Sequence, residues 1–201
     1  MSKIKICGMM RDQDILTANE VRPDYVGFIM VDWERHYITE DTARHFKSIL
    51  SPDIQAVGAF VDAPINTVIH LLQDNVIDVA QLHGKEDDGY VKTVMSETGK
   101  TVIKACGVKS PEDVEAILGS SADYILLDTP GGCTGNSFDW NLIKNIDRPY
   151  FLAGGLNVDN IADAIVRFHP YAVDLSSGAE TDKVKDPAKM KKLVEIVRSI
   201  K

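Results

Sequence analysis

Residues 150–178 read YFLAGGLNVDNIADAIVRFHPYAVDLSSG and contain two short apolar runs separated by one amphipathic segment. The runs at 151–153 and 172–175 are almost continuously apolar, as is typical of strands buried on both faces of a parallel sheet. Between them, apolar residues recur with helical spacing after Asn157, which predicts a helix. The stretch therefore predicts a strand, a helix and a second, parallel strand, with small residues after each strand.

The same alternation extends over the whole chain. The eight predicted strands are residues 3–7, 25–30, 55–61, 79–82, 102–106, 124–128, 151–153 and 172–175. Predicted helices between and after them begin near Asp12, Thr39, Pro64, Gly84, Ser110, Ser137, Asn157 and Asp186. Eight such units average about 25 residues each, which is tight but sufficient for a barrel of about 200 residues. We therefore predict an α/β fold, a single-domain (β/α)8 TIM barrel over residues 1–201.

An open doubly wound sheet is the alternative. Its dinucleotide-binding forms carry G-x-G-x-x-G after the first strand, whereas residues 7–11 read CGMMR here. Such sheets also rarely reach eight equal units, so the barrel is favoured.

Composition excludes several functional classes. The chain has 201 residues, 44% hydrophobic, with 30 acidic and 22 basic side chains and a net charge of −8. This balance argues against nucleic acid and anionic membrane partners, and any bound anion must be held by local groups. No signal peptide or membrane-spanning run of about 18 apolar residues is visible. Cys7, Cys106 and Cys133 form no CxxC pair, which fits reduced thiols in a cytoplasmic protein.

Small residues follow the last two predicted strands. In a barrel, the loops after strands 7 and 8 frequently bind phosphate through backbone N–H groups. A Gly-Gly turn alone is usually only a turn, but here both loops carry small residues in the right places. The expected phosphate-binding residues are Gly154, Gly155, Ser176, Ser177 and Gly178.

Three side chains at strand ends are candidates for chemistry or for support of the site. Cys7 ends the first strand and Asp128 the sixth, although a buried thiol and a loop-capping aspartate are the ordinary interpretations. Asp174 lies beside the expected phosphate loop, where two anions would repel, so we expect it to accept backbone N–H bonds in a structural role. Cys106 ends the fifth strand and is interpreted as a packing residue.

Further polar residues are expected at the barrel mouth. Gln81 and His83 follow the fourth strand, and His83 is either a proton carrier or a hydrogen-bond partner. No His, Cys or Asp cluster shows metal-ligand spacing, so no metal site is predicted.

Short sequence blocks occur in a fixed order from residue 3 to the last helix. They are KICG (5–8), QLHG (81–84), LD (127–128), GGCTG (131–135), FDW (138–140), AGGLN (153–157) and VDLSSG (173–178) with Glu180. In this order and spacing they resemble the phosphoribosylanthranilate isomerase family.

The resemblance implies a (β/α)8 barrel of tryptophan biosynthesis that works without cofactor or metal. The implied reaction converts N-(5-phosphoribosyl)anthranilate to 1-(2-carboxyphenylamino)-1-deoxyribulose 5-phosphate, an Amadori rearrangement. By motif, Cys7 is the implied general base that removes the C2′ proton, and Asp128 is the implied general acid that protonates the ring oxygen. The glycine and serine loops match the phosphate site of the family.

This division of roles sets an expectation for the two pKa values. An acid that works near neutral pH needs a raised pKa, which burial at an apolar strand end can give Asp128. A cysteine base gains thiolate if a nearby cation or N–H lowers its pKa. We therefore expect the pKa values of Asp128 and Cys7 to be displaced in opposite directions, from opposite sides of the sugar ring.

One stretch departs from the family pattern. The family carries Ser-x-Arg before an aromatic or apolar residue, and that arginine meets the anthranilate carboxylate, but residues 33–39 read WERHYIT here. An ungapped alignment places His36 at the arginine position and displaces Arg35 by one residue. We favour Arg35, because its guanidinium binds a carboxylate bidentately and keeps its charge. If His36 binds it instead, affinity should fall above roughly pH 6.5.

Other functions stay open at this level. A related aminoaldose isomerase with paired aspartates, a metal-dependent epimerase, or a barrel that only binds a phosphorylated metabolite would share much of the pattern. The cysteine at the first strand end argues against the first, and the lack of a ligand cluster disfavours the second. A pure binder has no need of both Cys7 and Asp128. The chain is expected to be a monomer or a homodimer.

Overall fold

The computed structural model describes residues 1–131, 137–144 and 146–200. Eight parallel strands form a closed barrel in chain order, and β8 pairs with β1. The strands are β1 (Lys3–Cys7), β2 (Tyr25–Ile29), β3 (Gln55–Phe60), β4 (Val79–Leu82), β5 (Thr101–Gly107), β6 (Tyr124–Asp128), β7 (Tyr150–Leu152) and β8 (Ala172–Leu175). The predicted (β/α)8 barrel is confirmed, and strand ends differ from the predicted ones by a single residue.

In the described part of the chain, seven α-helices surround the barrel. They are α1 (Asp12–Val21), α2 (Glu40–Ile49), α3 (Ile65–Gln73), α4 (Asp88–Thr98), α5 (Pro111–Leu118), α6 (Ile161–Phe168) and α7 (Pro187–Ser199). Thr39 caps α2 through its side chain, Ser110 and Asp113 form a capping box on α5, and Asp186 accepts two backbone N–H groups of α7. These caps satisfy N–H groups that lack partners within the helix, as the sequence predicts.

The prediction of a helix after Ser137 is wrong. Among the described residues of this connection there is only a three-residue 3-10 turn, Trp140–Leu142, with Asp139 accepting the N–H of Asn141 at its start. The backbone is already extended at Ile143. Asn, Ile and Asp residues with weak helix propensity follow, and Pro149 disfavours helical backbone at the residue before it.

A short excursion between β8 and α7 was not predicted. It consists of a 3-10 turn (Ser177–Ala179) and a hairpin of β9 (Glu180–Thr181) and β10 (Val184–Lys185). The hairpin projects from the end of the barrel that carries the strands' carboxyl ends.

The period of two along each strand decides which side chains face the barrel interior. On β1, Ile4 and Ile6 pack in the layer between sheet and helices, whereas Lys5 and Cys7 face inward. The same alternation on β6 and β8 turns one aspartate of each strand inward.

The lower part of the interior is a packed core. Phe151 makes edge contacts with Tyr25 and Tyr124, and small and aliphatic side chains of five strands complete the layer. Because this part is filled, a ligand has room only toward the carboxyl ends of the strands. Across the described ranges, no helix is both long and apolar enough to cross a bilayer.

Candidate active site

A cavity opens at the carboxyl ends of the barrel strands. Nine of the residues predicted from sequence line it: Cys7, Gln81, His83, Asp128, Gly154, Gly155, Asp174, Ser176 and Ser177. The rest of its wall is mainly apolar: Ile29, Ala59, Thr129, Ala153, Leu156 and Leu175. The structure thus brings most of the predicted site together, while Gly178, Arg35 and His36 lie outside this lining.

Cys7 is buried at the end of β1. Its register partner on β2 is Gly27, where a β-carbon would lie 2.4 Å from the Cys7 Sγ, so the thiol occupies space that only glycine leaves open. Burial raises the pKa of the Cys7 thiol, and the ammonium of Lys5 opposes this only in part. The expectation of a lowered pKa is therefore wrong, because desolvation outweighs the cation.

Asp128 ends β6 and is almost fully buried. Burial raises its pKa to about 6, against the lowering effects of the Thr129 N–H and of Lys5. Its Oδ1 accepts that N–H at 2.7 Å. The predicted direction is confirmed, and a fraction of this carboxyl group stays protonated near neutral pH.

Lys5 and Asp174 form an ion pair inside the barrel. The Lys5 Nζ donates to Asp174 Oδ2 at 2.7 Å, and neither side chain is more than 8% exposed. Burial alone would lower the pKa of Lys5, but Asp174 and Cys7 together raise it, so the ammonium keeps its charge. Asp174 was expected to accept backbone N–H groups; instead it balances a buried cation, while its Oδ1 has no hydrogen-bond partner among the described residues.

His83 lies at the β4 end of the cavity. Its Nε2 is 3.7 Å from Asp128 Oδ2, which is too long for a hydrogen bond. Burial, with the nearby cations Lys5 and Lys104, lowers the pKa of His83 to about 4, so the imidazole is neutral at physiological pH. The Lys104 Nζ donates to the carbonyls on either side of His83, those of Leu82 and Gly84, and thereby fixes its backbone.

The two loops of the predicted phosphate site pack on each other. Gly154 and Gly155 have φ of +84° and +65°, which disfavours side chains. A β-carbon on Gly178 would lie 2.0 Å from the carbonyl oxygen of Leu156. Glycine at 178 therefore allows the loop after β8 to touch the loop after β7.

The stretch that departs from the family pattern lies beside the hairpin. Arg35 Nη2 donates to Glu180 Oε2 at 2.8 Å, and the guanidinium remains 41% exposed. His36 is almost fully buried, with Nε2 2.8 Å from Glu180 Oε1. Its ring also packs beside Gly8, where a β-carbon would approach it to 3.1 Å. Both side chains therefore lie against one carboxylate, but of these two described residues only Arg35 makes a hydrogen bond to it, and Arg35 is the more accessible.

A second, more apolar cavity adjoins the first. The two share Ile29, Ala59 and His83, and the second extends to side chains of the β2 and β3 ends: Val31, Trp33, Glu34, Phe60 and Val61. Trp33 is 70% exposed at its rim.

Parts of the predicted site fall outside the described ranges, namely Cys133 and most of the GGCTG block. Within those ranges, no group of three or more His, Cys, Asp or Glu side chains is placed to hold a metal ion.

Sequence and structure comparisons agree on one family. Residues 4–196 match the profile of the family described as N-(5'-phosphoribosyl)anthranilate (PRA) isomerase. The chain belongs to this family. PRA isomerases from Endomicrobium trichonymphae and Thermoanaerobacter sp. (strain X514) are 44% and 40% identical to it, over the full length of both chains in each case.

Solved PRA isomerase structures share the fold throughout. The enzyme from Thermotoga maritima superimposes with a TM-score of 0.90 at 32% identity, with both chains fully covered. The enzyme from Thermus thermophilus gives 0.89 at 31% identity over 98% of each chain. A further PRA isomerase, with a TM-score of 0.87 at 32% identity and full coverage, was solved in complex with reduced 1-(o-carboxyphenylamino)-1-deoxyribulose 5-phosphate.

Sequence reasoning assigned no role to three charged residues of this PRA isomerase barrel mouth: Lys5, Glu180 and Lys185. Lys5 could have been found from its position two residues before Cys7, since both then face inward. Glu180 and Lys185 depend on the unpredicted hairpin, and only the Glu180 match to the family block pointed to them.

Proposed function

We propose that this chain catalyses the Amadori rearrangement of N-(5-phosphoribosyl)anthranilate to 1-(2-carboxyphenylamino)-1-deoxyribulose 5-phosphate, without cofactor or metal. The observation that carries the proposal is that Cys7 and Asp128 line one cavity together with the loops after β7 and β8. That combination offers a base, an acid and a phosphate-binding floor within reach of one sugar.

Asp128 acts in the first step. With a pKa of about 6, roughly one carboxyl group in ten is protonated at pH 7. It donates this proton to the furanose ring oxygen, the C1′–O bond breaks, and the nitrogen lone pair forms a C1′=N bond. The ring opens to a protonated Schiff base, and Asp128 is left as a carboxylate.

Cys7 acts in the second step. The positive charge on the Schiff base makes the C2′ proton more acidic and, together with Lys5, favours the thiolate over the neutral thiol that burial alone prefers. The thiolate takes the C2′ proton, and the C–H electrons form an enolamine. Tautomerisation of the enolamine yields the ketone.

The substrate is held at both ends. We assign its phosphate to the backbone N–H groups around Gly154, Gly155, Ser176, Ser177 and Gly178, which line the cavity or its rim. The adjoining apolar cavity suits the aminobenzoate ring. Arg35 is the candidate for the ring carboxylate, because its guanidinium is charged and accessible at that side of the barrel.

A related isomerase that uses two aspartates is the second candidate. Asp128 and Asp174 both line the cavity, which favours it. One oxygen of Asp174 is already taken up by the Lys5 ammonium at 2.7 Å, however, which disfavours a role for it in proton transfer. Such an enzyme would keep its activity after Cys7→Ala.

The test is loss of substrate fluorescence as phosphoribosylanthranilate is consumed. We expect turnover by the unaltered protein, and a fall in kcat by a factor of about 10² or more for Cys7→Ala and for Asp128→Ala. Cys106→Ala is the matched control, since this thiol lies near the end of β5 outside the cavity lining, and it should leave kcat nearly unchanged. A stable protein that binds substrate without turnover would instead be a phosphometabolite-binding barrel.

We further propose that residues 1–201 act as one domain in the cytoplasm, with a small-molecule substrate and without nucleic acid or membrane partners. Its net charge of −8 supports this. A PRA isomerase from Thermotoga maritima is described as dimeric, and monomer and homodimer remain the two alternatives for this chain. Sedimentation at micromolar concentration distinguishes them.

A further inference from the structure

Glu180 is a buried carboxylate that the proposed reaction does not use. It begins β9, and its side chain is only 5% exposed. Its Oε2 accepts from Arg35 Nη2 at 2.8 Å, while its Oε1 accepts from Lys185 Nζ at 2.5 Å and lies 2.8 Å from His36 Nε2. Three nitrogen-bearing side chains therefore converge on one carboxylate.

A tight hairpin fixes the position of this carboxylate. Asp182 and Lys183 have φ of +50° and +66°. Positive φ at both central residues is typical of two-residue hairpin turns, whose backbone twist matches the right-handed twist of the flanking strands. The turn places Glu180 opposite Lys185 in the β9–β10 register. Arg11 Nη2 donates to the carbonyl of Lys185 at 3.0 Å and ties the hairpin to the start of α1.

The contacts of Glu180 connect two separate loops of the barrel mouth. Arg35 and His36 belong to the β2–α2 loop, where the substrate carboxylate is expected. Lys185 Nζ also donates to the carbonyl of Ser176 at 3.2 Å and to its Oγ at 3.4 Å, in the loop expected to bind phosphate. One carboxylate thus joins the loops assigned to the two ends of the substrate.

The charges explain why a carboxylate is needed at this position. Lys185 is almost fully buried, and a buried ammonium without a counter-charge is costly. Glu180 balances one of the two full cations in contact with it, Lys185 and Arg35. One positive charge is left over at the mouth of an acidic protein, where a substrate with two anionic groups would bind.

We infer that Glu180 is a positioning residue, which holds the carboxylate-binding loop and the phosphate-binding loop in the arrangement that fits both ends of one substrate. The inference rests on the proposed function, because that function supplies a substrate with an anionic group at each end. Glu180 itself does not line the cavity and takes no part in proton transfer.

The test compares Glu180→Gln with the unaltered protein in three quantities. Substrate binding that is equal in ground and transition states appears in KM rather than kcat, so we expect KM to rise about tenfold or more while kcat stays within about threefold. The inhibition constant of inorganic phosphate, measured at constant ionic strength, should rise about threefold or more, because Ser176 loses its support. An unchanged KM, a raised KM with unchanged phosphate inhibition, or a fall in kcat alone would each overturn the inference.

Two further measurements separate positioning from loss of structure. Asp78→Asn removes an acid that is also paired with a lysine, but before β4 at the opposite end of the barrel, and it should leave KM and phosphate inhibition unchanged. In an Arg35→Ala background, Glu180→Gln should raise KM by a smaller factor than in the unaltered protein, because the two residues act together. Equal factors would contradict the inference.

If Glu180→Gln does not fold, Glu180→Asp replaces it. This variant keeps the charge but is one methylene too short to reach both loops, and KM and phosphate inhibition should again rise together. Calorimetric titration with inorganic phosphate tests the support of Ser176 without any turnover. Failure of the proposed function would therefore appear as an inactive unaltered protein, whereas failure of this inference would appear as equal phosphate binding by protein and variant.

Discussion

Cys7 and Asp128 share a buried environment that disfavours the charged form of each. Burial raises the pKa of each, because water that would solvate a thiolate or a carboxylate is excluded. The nearest permanent charges, Lys5 and Asp174, are already paired with each other. In the proposed reaction, the positive charge of the Schiff base would then favour the thiolate of Cys7.

A measurement of KM decides whether Arg35 or His36 binds the substrate carboxylate. Arg35→Ala should raise KM about tenfold or more with little change in kcat, because a charged, bidentate contact to the substrate carboxylate is lost. In the unaltered protein, KM should then vary little between pH 6 and 8, since a guanidinium does not titrate there.

Arg35→Lys serves as the control for charge alone, and its KM should lie between those of the unaltered protein and Arg35→Ala. An unchanged KM for Arg35→Ala, together with a KM that climbs above about pH 6.5 in the unaltered protein, would assign the carboxylate to His36 instead.

Contacts between neighbouring strands and loops set the position of the groups that we propose take part in the reaction. Gly27 on β2 leaves the space for Cys7 on β1, and Gly178 leaves the space for the loop after β7 to meet the loop after β8. Both glycines are required by close approach rather than by backbone conformation.

Gly27→Ala tests the contact between β1 and β2. The new methyl group would lie 2.4 Å from Cys7 Sγ and 2.9 Å from its Cα, so the thiol and its strand must shift. Because displacement of a reacting group by about 1 Å can cost about 10² in rate, we expect kcat to fall by that order. Activity is measured by substrate fluorescence, and folding by the thermal midpoint Tm.

Gly119→Ala is the matched control for Gly27→Ala. Its β-carbon would lie 3.5 Å from the nearest atom, the carbonyl oxygen of Ala116, at ordinary helical φ, and its kcat should be unchanged. A Gly27→Ala protein with undiminished kcat would show that Cys7 does not need its present position.

Short sequence patterns predicted the strands and the helix caps, which depend on residues close together in the chain. The strands follow from apolar runs and the caps of α2, α5 and α7 from Thr39, Ser110 and Asp186, whereas the proposed roles of Cys7 and Asp128 come from the family resemblance. The missing helix after Ser137 and the β9–β10 hairpin depend on short connections and turn geometry, which residue periodicity does not encode. The contact between Arg35 and Glu180 joins residues 145 positions apart, so it becomes visible only when the barrel closes.

For the molecule as a whole, the buried carboxyl group of Asp128, the proposed acid, should also lower stability. The pKa of Asp128 rises from an ordinary value of about 3.9 to about 6, so the folded state binds its proton more tightly than the unfolded chain. The stability contributed by this group is complete below about pH 4 and is lost as pH rises through about 6. A difference of two pKa units between the folded and unfolded chains lowers the free energy of unfolding by roughly 3 kcal/mol at pH 8.

Asp128→Asn removes this penalty, since the amide stays neutral and can still accept the Thr129 N–H. At pH 8 the variant should therefore unfold at a Tm on the order of 5 °C higher than the unaltered protein, while its kcat falls by about 10² or more. The gain should become small near pH 4, where Asp128 is protonated in the folded chain and about half protonated in the unfolded chain. Asp78→Asn, which removes an acid paired with Lys47, should give no gain at pH 8. The test is thermal unfolding of the unaltered protein, Asp128→Asn and Asp78→Asn at pH 4 and pH 8. If Asp128→Asn were stabilised equally at both pH values, its stability would come from packing rather than from the charge of Asp128.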